Sequence, residues 1–187
     1  MARGVAAAAL ALVTACPSSP TSHFYALSAT PPTGARHAAA PSAPVHVAAV
    51  HIPPSLDRRQ MVRMTGPNSV QISETDRWSA PLDEMLGNVL AEDLVARLPE
   101  GEVLFPRSPA PSGARALVVT VAEFGPGADG NVRLTGSWSL LASGSRAPVA
   151  REESFAIDAG PAASAAEIAA AMSRALGELA DRIAATL

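Results

Sequence analysis

The sequence contains no lysine and only one cysteine, and both scarcities exclude classes of function. All 14 basic residues are arginines, so a Schiff-base lysine, a phosphate-loop lysine and a Ser-x-x-Lys nucleophile pair are excluded. The single cysteine excludes an internal disulfide and any metal site that is built from several cysteines. The net charge is −3 and basic clusters are lacking, which argues against nucleic acid as a partner.

Large apolar side chains are scarce as well. Aromatic residues make up 4% of the chain, and 40 alanines account for much of its 48% hydrophobic content. A chain of 187 residues with this composition supports one compact domain, with part of the chain outside the core.

The motifs of common enzyme classes are also missing. The sequence has no Gly-x-Ser-x-Gly elbow, no Walker loop and no His-Glu-x-x-His helix. His46 and His51 share a predicted strand, but their spacing of five places them on opposite faces, so they cannot bind one metal together. We therefore expect a non-enzymatic protein with no cofactor and no metal.

The single cysteine lies at the end of a segment that resembles a secretory signal. Arg3 precedes a short apolar run over residues 5–13, which is far below the roughly 20 apolar residues of a membrane-spanning helix. Val13-Thr14-Ala15-Cys16 then matches the bacterial lipobox. The pattern predicts a signal peptide over residues 1–15 and a lipidated Cys16, whose acyl chains anchor the protein to a membrane. The alternative is an incidental cysteine after an ordinary secretory signal.

The residue after the cysteine bears on localisation. Pro17 stands where Asp favours inner-membrane retention in enterobacterial lipoproteins. We therefore expect transport to the outer membrane, with the protein facing the periplasm.

The chain after the signal divides into two parts. Residues 16–44 contain the lipidated cysteine, a polar tether, a short aromatic strand over 23–27 and a Pro- and Ala-rich segment over 28–44, which indicates a flexible linker. Residues 45–187 carry the periodic patterns of a folded domain.

The domain is predicted to be α/β, with a mixed β-sheet flanked by two long amphipathic helices. Ser79 is the predicted N-cap of the first helix, and Ser164 and Glu167 form a capping-box pattern at the second. The predicted strands cover residues 45–52, 61–65, 70–74, 102–105, 115–124, 132–141 and 149–157, and the predicted helices cover 82–98 and 165–187.

Two short blocks next to the predicted hairpin stand out. Leu56-Asp57-Arg58-Arg59-Gln60-Met61-Val62 precedes its turn, and Arg77-Trp78-Ser79-Ala80-Pro81-Leu82 precedes the first helix. Trp78 either staples that helix to the sheet or belongs to a partner surface, with Arg77 binding a carbonyl or an acid in the first case. The candidate residues for a partner-binding or structural role are Leu56, Asp57, Arg58, Gln60, Arg77, Trp78, Pro81 and Leu82.

The order of these features resembles the ABC-type transport auxiliary lipoproteins, the PqiC/YmbA-like family. The resemblance covers residues 23–185, and its motifs are the lipobox, Tyr25-Ala26-Leu27, Ile52-Pro53 and the two blocks. Ser55 departs from the family pattern, which has an aromatic residue there.

The resemblance implies a function that composition could not. Members are non-catalytic, periplasm-facing lipoproteins that serve an MCE-domain protein and a permease in intermembrane lipid transport. We expect this chain to dock such an assembly at the outer membrane, on an α/β fold with a sheet between helices. The alternative is a lipoprotein that binds a lipid or another hydrophobic ligand in its own apolar pocket. The sequence leaves the cargo, the transport direction and the oligomeric state open, a homo-oligomer included.

Overall fold

The structure is a computed structural model, and it describes residues 20–34, 43–142 and 149–187. The predicted signal peptide and Cys16 lie outside the described residues. The described residues form ten elements in chain order: β1 (His23–Tyr25), β2 (Val45–His51), β3 (Gln60–Gly66), β4 (Ser69–Trp78), α1 (Leu82–Arg97), β5 (Val103–Leu104), β6 (Arg115–Pro126), β7 (Asn131–Leu141), β8 (Val149–Pro161) and α2 (Ala165–Ala184).

Five strands form the larger sheet, in the order β5-β2-β6-β7-β8. Strand β2 pairs in parallel with β5 and β6, and β6, β7 and β8 form the predicted antiparallel meander. Alternate residues of β7 are buried on one face, because successive side chains of a strand point to opposite faces. The buried side chains of β7 are Val132, Leu134, Trp138 and Leu140.

The hairpin of β3 and β4 belongs to a second, smaller sheet, in the order β1-β4-β3. Strand β1 runs parallel to β4 with His23 opposite Asp76, and β3 runs antiparallel to β4. The α/β class and the two flanking helices are confirmed. The strands, however, divide between two mixed sheets, because among the described strands β3 and β4 pair only with each other and with β1.

Both helices pack against the larger sheet and against each other, so they cover the same face of it, and the expectation of a sheet between helices was wrong. Helix α2 begins at the predicted capping box, in which Ser164 accepts from the N–H of Glu167 and Glu167 accepts from the N–H of Ser164. Its apolar stripe is buried as predicted: Ile168, Met172, Ala175, Leu176, Leu179 and Ile183. The N-cap of α1 is Pro81, and the prediction of Ser79 was wrong because Ser79 and Ala80 form a bend and Pro81, with φ −52° and ψ 134°, is the last residue outside the helix. Within the described residues, no helix is long and apolar enough to cross a membrane.

The segment Ser28–Thr33, here called the strap, differs from the flexible linker that its composition predicted. The N–H of Ser28 donates to Oγ of Ser173 at 3.1 Å, and the N–H of Thr30 donates to Oδ1 of Asp93 at 2.8 Å. The strap therefore bonds to both helices. These bonds offset the entropy of ordering the segment, and composition cannot reveal them because the partners lie 63 and 145 residues away.

Candidate docking surface

The hairpin and the residues before α1 bring the two sequence blocks together. Gln60 lies opposite Arg77 in the β3–β4 ladder. The N–H of Trp78 donates to the carbonyl of Arg59 at 2.6 Å, and Nη2 of Arg59 donates to the carbonyl of Ser79 at 3.1 Å. Two segments separated by about twenty residues in sequence therefore form one structural unit.

Trp78 lies inside this unit and not on its surface. Its side chain is 4% exposed, and Leu82 of α1 is 3% exposed. Both line a void of about 10 Å³, together with Phe124 of β6 and Met172 of α2. A void of this size is close to one water molecule, so the packing is near complete. This placement matches the interpretation of Trp78 as a staple between sheet and helix.

The chain from Pro53 to Arg59, here called the docking turn, presents the polar side chains of the first block. The carbonyl of Pro53 accepts from the N–H of Leu56 at 2.9 Å, and the carbonyl of Leu56 accepts from the N–H of Arg58 at 2.8 Å. Asp57 and Arg58 are exposed, and neither side chain bonds to another described residue. The turn thus holds two opposite charges in solvent.

The remaining candidate residues are half-buried, except for Pro81, which is exposed. Gln60 and Arg77 are half-buried, and Nη2 of Arg77 donates to the carbonyl of Glu74 at 3.4 Å. Pro81 is exposed just before α1, and Leu56 is the half-buried apolar residue of the docking turn. The eight candidates therefore divide into three groups by burial. Trp78 and Leu82 are buried; the half-buried residues are Leu56, Gln60 and Arg77; the exposed residues are Asp57, Arg58 and Pro81.

An apolar groove begins beside the docking turn. Its volume is about 470 Å³, and it is open to solvent on one side. Its lining comes from the docking turn, which includes Leu56, from the hairpin and from the end of β6. Among the described residues that line the groove, Glu123 is the one with a charged side chain. The other lining residues are Pro53, Ser55, Val62, Met64, Val70, Ala122, Phe124, Gly125, Pro126 and Thr135.

A buried polar cluster under the strap was not found from the sequence. Nε of Arg97 donates to Oδ1 of Asp181 at 2.6 Å, and Nη1 of Arg97 donates to the carbonyl of Thr30 at 3.2 Å and to Oδ1 of Asp93 at 3.1 Å. Burial raises the pKa of Asp93, against the opposing effects of the Thr30 N–H and of Arg97. The i, i+4 spacing of Asp93 and Arg97 is a weak signal, because most such pairs lie on a solvated face.

The described residues contain no group of three His, Cys, Asp or Glu side chains that could hold a metal ion. His46 lies on β2 with its Nε2 buried and without a hydrogen-bond partner, and His51 is exposed at the end of the same strand. The candidate surface therefore offers charge and apolar area for binding.

The sequence matches one protein family and two curated proteins. Residues 25–184 match the profile of the family described as ABC-type transport auxiliary lipoprotein component. The intermembrane transport lipoprotein PqiC of Escherichia coli strain K12 is 34% identical over 91 residues, which cover 49% of this chain and 48% of that protein. The same protein of Shigella flexneri matches equally. The matched region thus spans about half the length of these relatives.

Two crystal structures share the fold. An uncharacterized protein superposes with a TM-score of 0.73 at 23% identity and covers 89% of this chain and 99% of its own. The protein XCC0632 from Xanthomonas campestris superposes with a TM-score of 0.70 at 18% identity, with coverages of 87% and 93%.

Proposed function

Because the chain belongs to the ABC-type transport auxiliary lipoprotein family, we propose that it is the lipid-anchored component that docks an intermembrane transport assembly. The anchor is Cys16, the membrane is the outer membrane, and the domain faces the periplasm. The partner is an MCE-domain protein that works with a permease. The family is one of transport lipoproteins and not a known enzyme family, so the role is binding and not catalysis.

The anchor is supported by sequence and family together. The lipobox over residues 13–16 ends at the one cysteine of the chain, and the curated relatives are named lipoproteins. Two or more acyl chains give stable anchoring, whereas one chain would bind only marginally.

The single observation that supports a binding site is the pair of exposed charges on the docking turn. Asp57 and Arg58 are exposed and unpaired among the described residues, and they lie on a base that Trp78 fixes from below. Charged side chains on a rigid support steer a partner and set its orientation, whereas the adjoining apolar groove supplies buried area. A partner segment fits this surface when it carries a cation for Asp57, an anion for Arg58 and an apolar side chain that enters the groove beside Leu56.

The alternative of a lipid pocket within this chain is less well supported. A lipid-binding protein encloses most of its ligand. The groove is open along one side, so an acyl chain in it would stay in contact with water. The groove suits a side chain that arrives with a partner surface.

The test is co-purification from membranes. A tagged full-length chain is extracted with a mild detergent, and the bound MCE-domain protein is quantified. Arg58→Glu and Asp57→Arg are each expected to reduce the bound partner about tenfold, as the loss of a close interfacial charge pair does. Arg107→Glu is the matched control, because Arg107 is also an exposed arginine but pairs with Glu84 on α1.

Two results would contradict the proposal. If no MCE-domain protein is recovered with the unaltered chain, the docking function itself fails. If the partner is recovered equally with all three variants, docking stands and its assignment to Asp57 and Arg58 fails.

A further inference from the structure

The turn of the β3–β4 hairpin and the first residues of β4 are exposed. From Thr65 to Ile72 every residue except Gly66 is exposed. Val70 is 53% exposed and Ile72 is 42% exposed, and they are two of the six large apolar side chains exposed among the described residues. An exposed apolar hairpin in a soluble domain favours aggregation unless something covers it.

The charge pattern of the hairpin restricts what can cover it. No charged residue occurs from Met64 to Ser73, and the nearest charges, Arg63 and Glu74, lie on either side of that segment. The turn over residues 66–69 carries only Gly, Pro, Asn and Ser. A tip without charges can enter the boundary between lipid headgroups and acyl chains at low cost, because no ion has to be desolvated.

The chain that leads to the predicted anchor leaves the domain toward the hairpin turn. Strand β1 is parallel to β4, with His23 opposite Asp76. Strand β4 runs from Ser69 to Trp78. The chain that precedes His23 therefore points along β4 toward its beginning, which is the hairpin turn.

The tether to the predicted anchor and the hairpin have similar lengths. Seven residues separate Cys16 from His23, and they can span at most about 25 Å. Strand β4 carries three extra residues between Ile72 and Arg77, so the length of the hairpin follows β3. Six residues separate Gln60, opposite Arg77, from Gly66, opposite Ser69, a distance of about 20 Å. When the acyl chains of Cys16 lie in a bilayer, a fully extended tether holds the hairpin turn within about 5 Å of the bilayer surface, and a tether that is not fully extended lets the turn reach it.

We propose that the hairpin turn, with Val70 and Ile72, contacts the surface of the phospholipid bilayer that holds the anchor. The occupant of the exposed face is lipid and not a second copy or a transport partner, because the short tether keeps the turn at the bilayer at high effective concentration. This proposal rests on the lipid anchor of the proposed function. The docking turn lies at the opposite end of the hairpin and remains free for a partner. Val70 also lines the groove beside that turn, so a docked partner occupies the groove at Leu56 and leaves the exposed side of Val70 to lipid.

The test uses the acylated full-length chain in vesicles of phosphatidylethanolamine and phosphatidylglycerol. Once Cys16 is acylated, the chain has no free thiol, so Val70→Cys supplies a single labelling site for an environment-sensitive fluorophore. Val149→Cys is the matched control, because Val149 is 52% exposed, which is close to the exposure of Val70. Val149 lies opposite Leu141 of β7, and Leu141 lies opposite Ala116 of β6. Ala116 is at the start of β6, whereas the groove is at its end. Nitroxide-labelled lipids in the vesicles serve as quenchers.

We expect a blue shift and quenching of the label at position 70 and neither effect at position 149. Ile72→Cys should behave like Val70→Cys. The proposal is wrong if acylated protein binds the vesicles but both labels at the hairpin keep their aqueous emission. It is also wrong if the blue shift needs added MCE-domain protein, or appears without vesicles as protein concentration rises. A chain that carries no acyl group and stays off the vesicles contradicts the anchor itself, and the proposal falls with it.

Discussion

The main-chain N–H of Trp78 lies 2.6 Å from the carbonyl oxygen of Arg59, and this hydrogen bond joins the end of β4 to the docking turn. The indole of Trp78 packs below the turn against α1, α2 and β6. The buried side chain of Trp78 therefore fixes the backbone that carries the exposed side chains of Asp57 and Arg58. A fixed backbone reduces the entropy that a partner must overcome on binding.

Trp78→Ala should destabilise the domain strongly. Loss of a buried Trp removes its packing and leaves a cavity, which costs about 3–5 kcal/mol. Chemical denaturation of the purified domain measures this change in the free energy of unfolding. If the free energy of unfolding stays the same while partner binding falls, Trp78 acts at a partner surface and the staple interpretation is wrong.

Gly177→Ala should loosen the strap. A Cβ at this position would lie 1.8 Å from Oγ1 of Thr30 and 3.2 Å from its Cβ, so the strap must shift. Alanine gains up to about 1 kcal/mol of helix propensity, whereas overpacking costs about 1–3 kcal/mol, so the net effect is destabilising.

Hydrogen exchange at the Thr30 amide measures that loosening directly. This N–H donates to Asp93, and its exchange should accelerate about tenfold or more in Gly177→Ala as the local bond opens. Gly34→Ala is the control, because a Cβ there meets nothing within 4 Å. Equal exchange in the two variants would show that the strap is not held against α2.

The capping box of α2 should make stability depend on pH. The N–H groups of Ser164 and Ala163 donate to Glu167 and lower the pKa of its carboxyl. A lowered pKa in the folded state means that the carboxylate stabilises the fold above the unfolded pKa of about 4.3, and this stabilisation is lost as pH falls through the folded pKa.

Glu167→Gln isolates this contribution. The wild type should be more stable than Glu167→Gln at neutral pH, and the difference should close as the pH falls below the folded pKa of Glu167. Thermal melts across an acid titration give the comparison. A difference that is independent of pH would mean that the charge of Glu167 contributes nothing to the cap.

Local patterns predicted most of the fold. The stripe and capping box of α2 could be identified because each depends on residues three or four positions apart. The hairpin was also found from its Gly-Pro-Asn-Ser turn and flanking apolar runs. The division into two sheets could not be predicted, because alternation and turn residues identify strands and hairpins but do not show which strands pair across long sequence distances.

The candidate surface was predicted only in part. The two blocks could be named from their resemblance to a family, and the hairpin explains how they meet. The cluster of Asp93, Arg97 and Asp181 could not be predicted, because it depends on the strap, whose composition favours a flexible chain. A segment rich in Pro and Ala becomes ordered here through partners that are distant in sequence.

Membrane fractionation of the full-length chain and of Cys16→Ser tests the central claim, a domain held at the membrane by lipid. The wild type should stay in the membrane fraction after a high-salt wash, and Cys16→Ser should move to the soluble fraction. The melting temperature should be the same for both, because the predicted anchor precedes the first strand of the domain by seven residues in sequence. Cys16→Ser protein that remains in the washed membrane fraction would contradict the account.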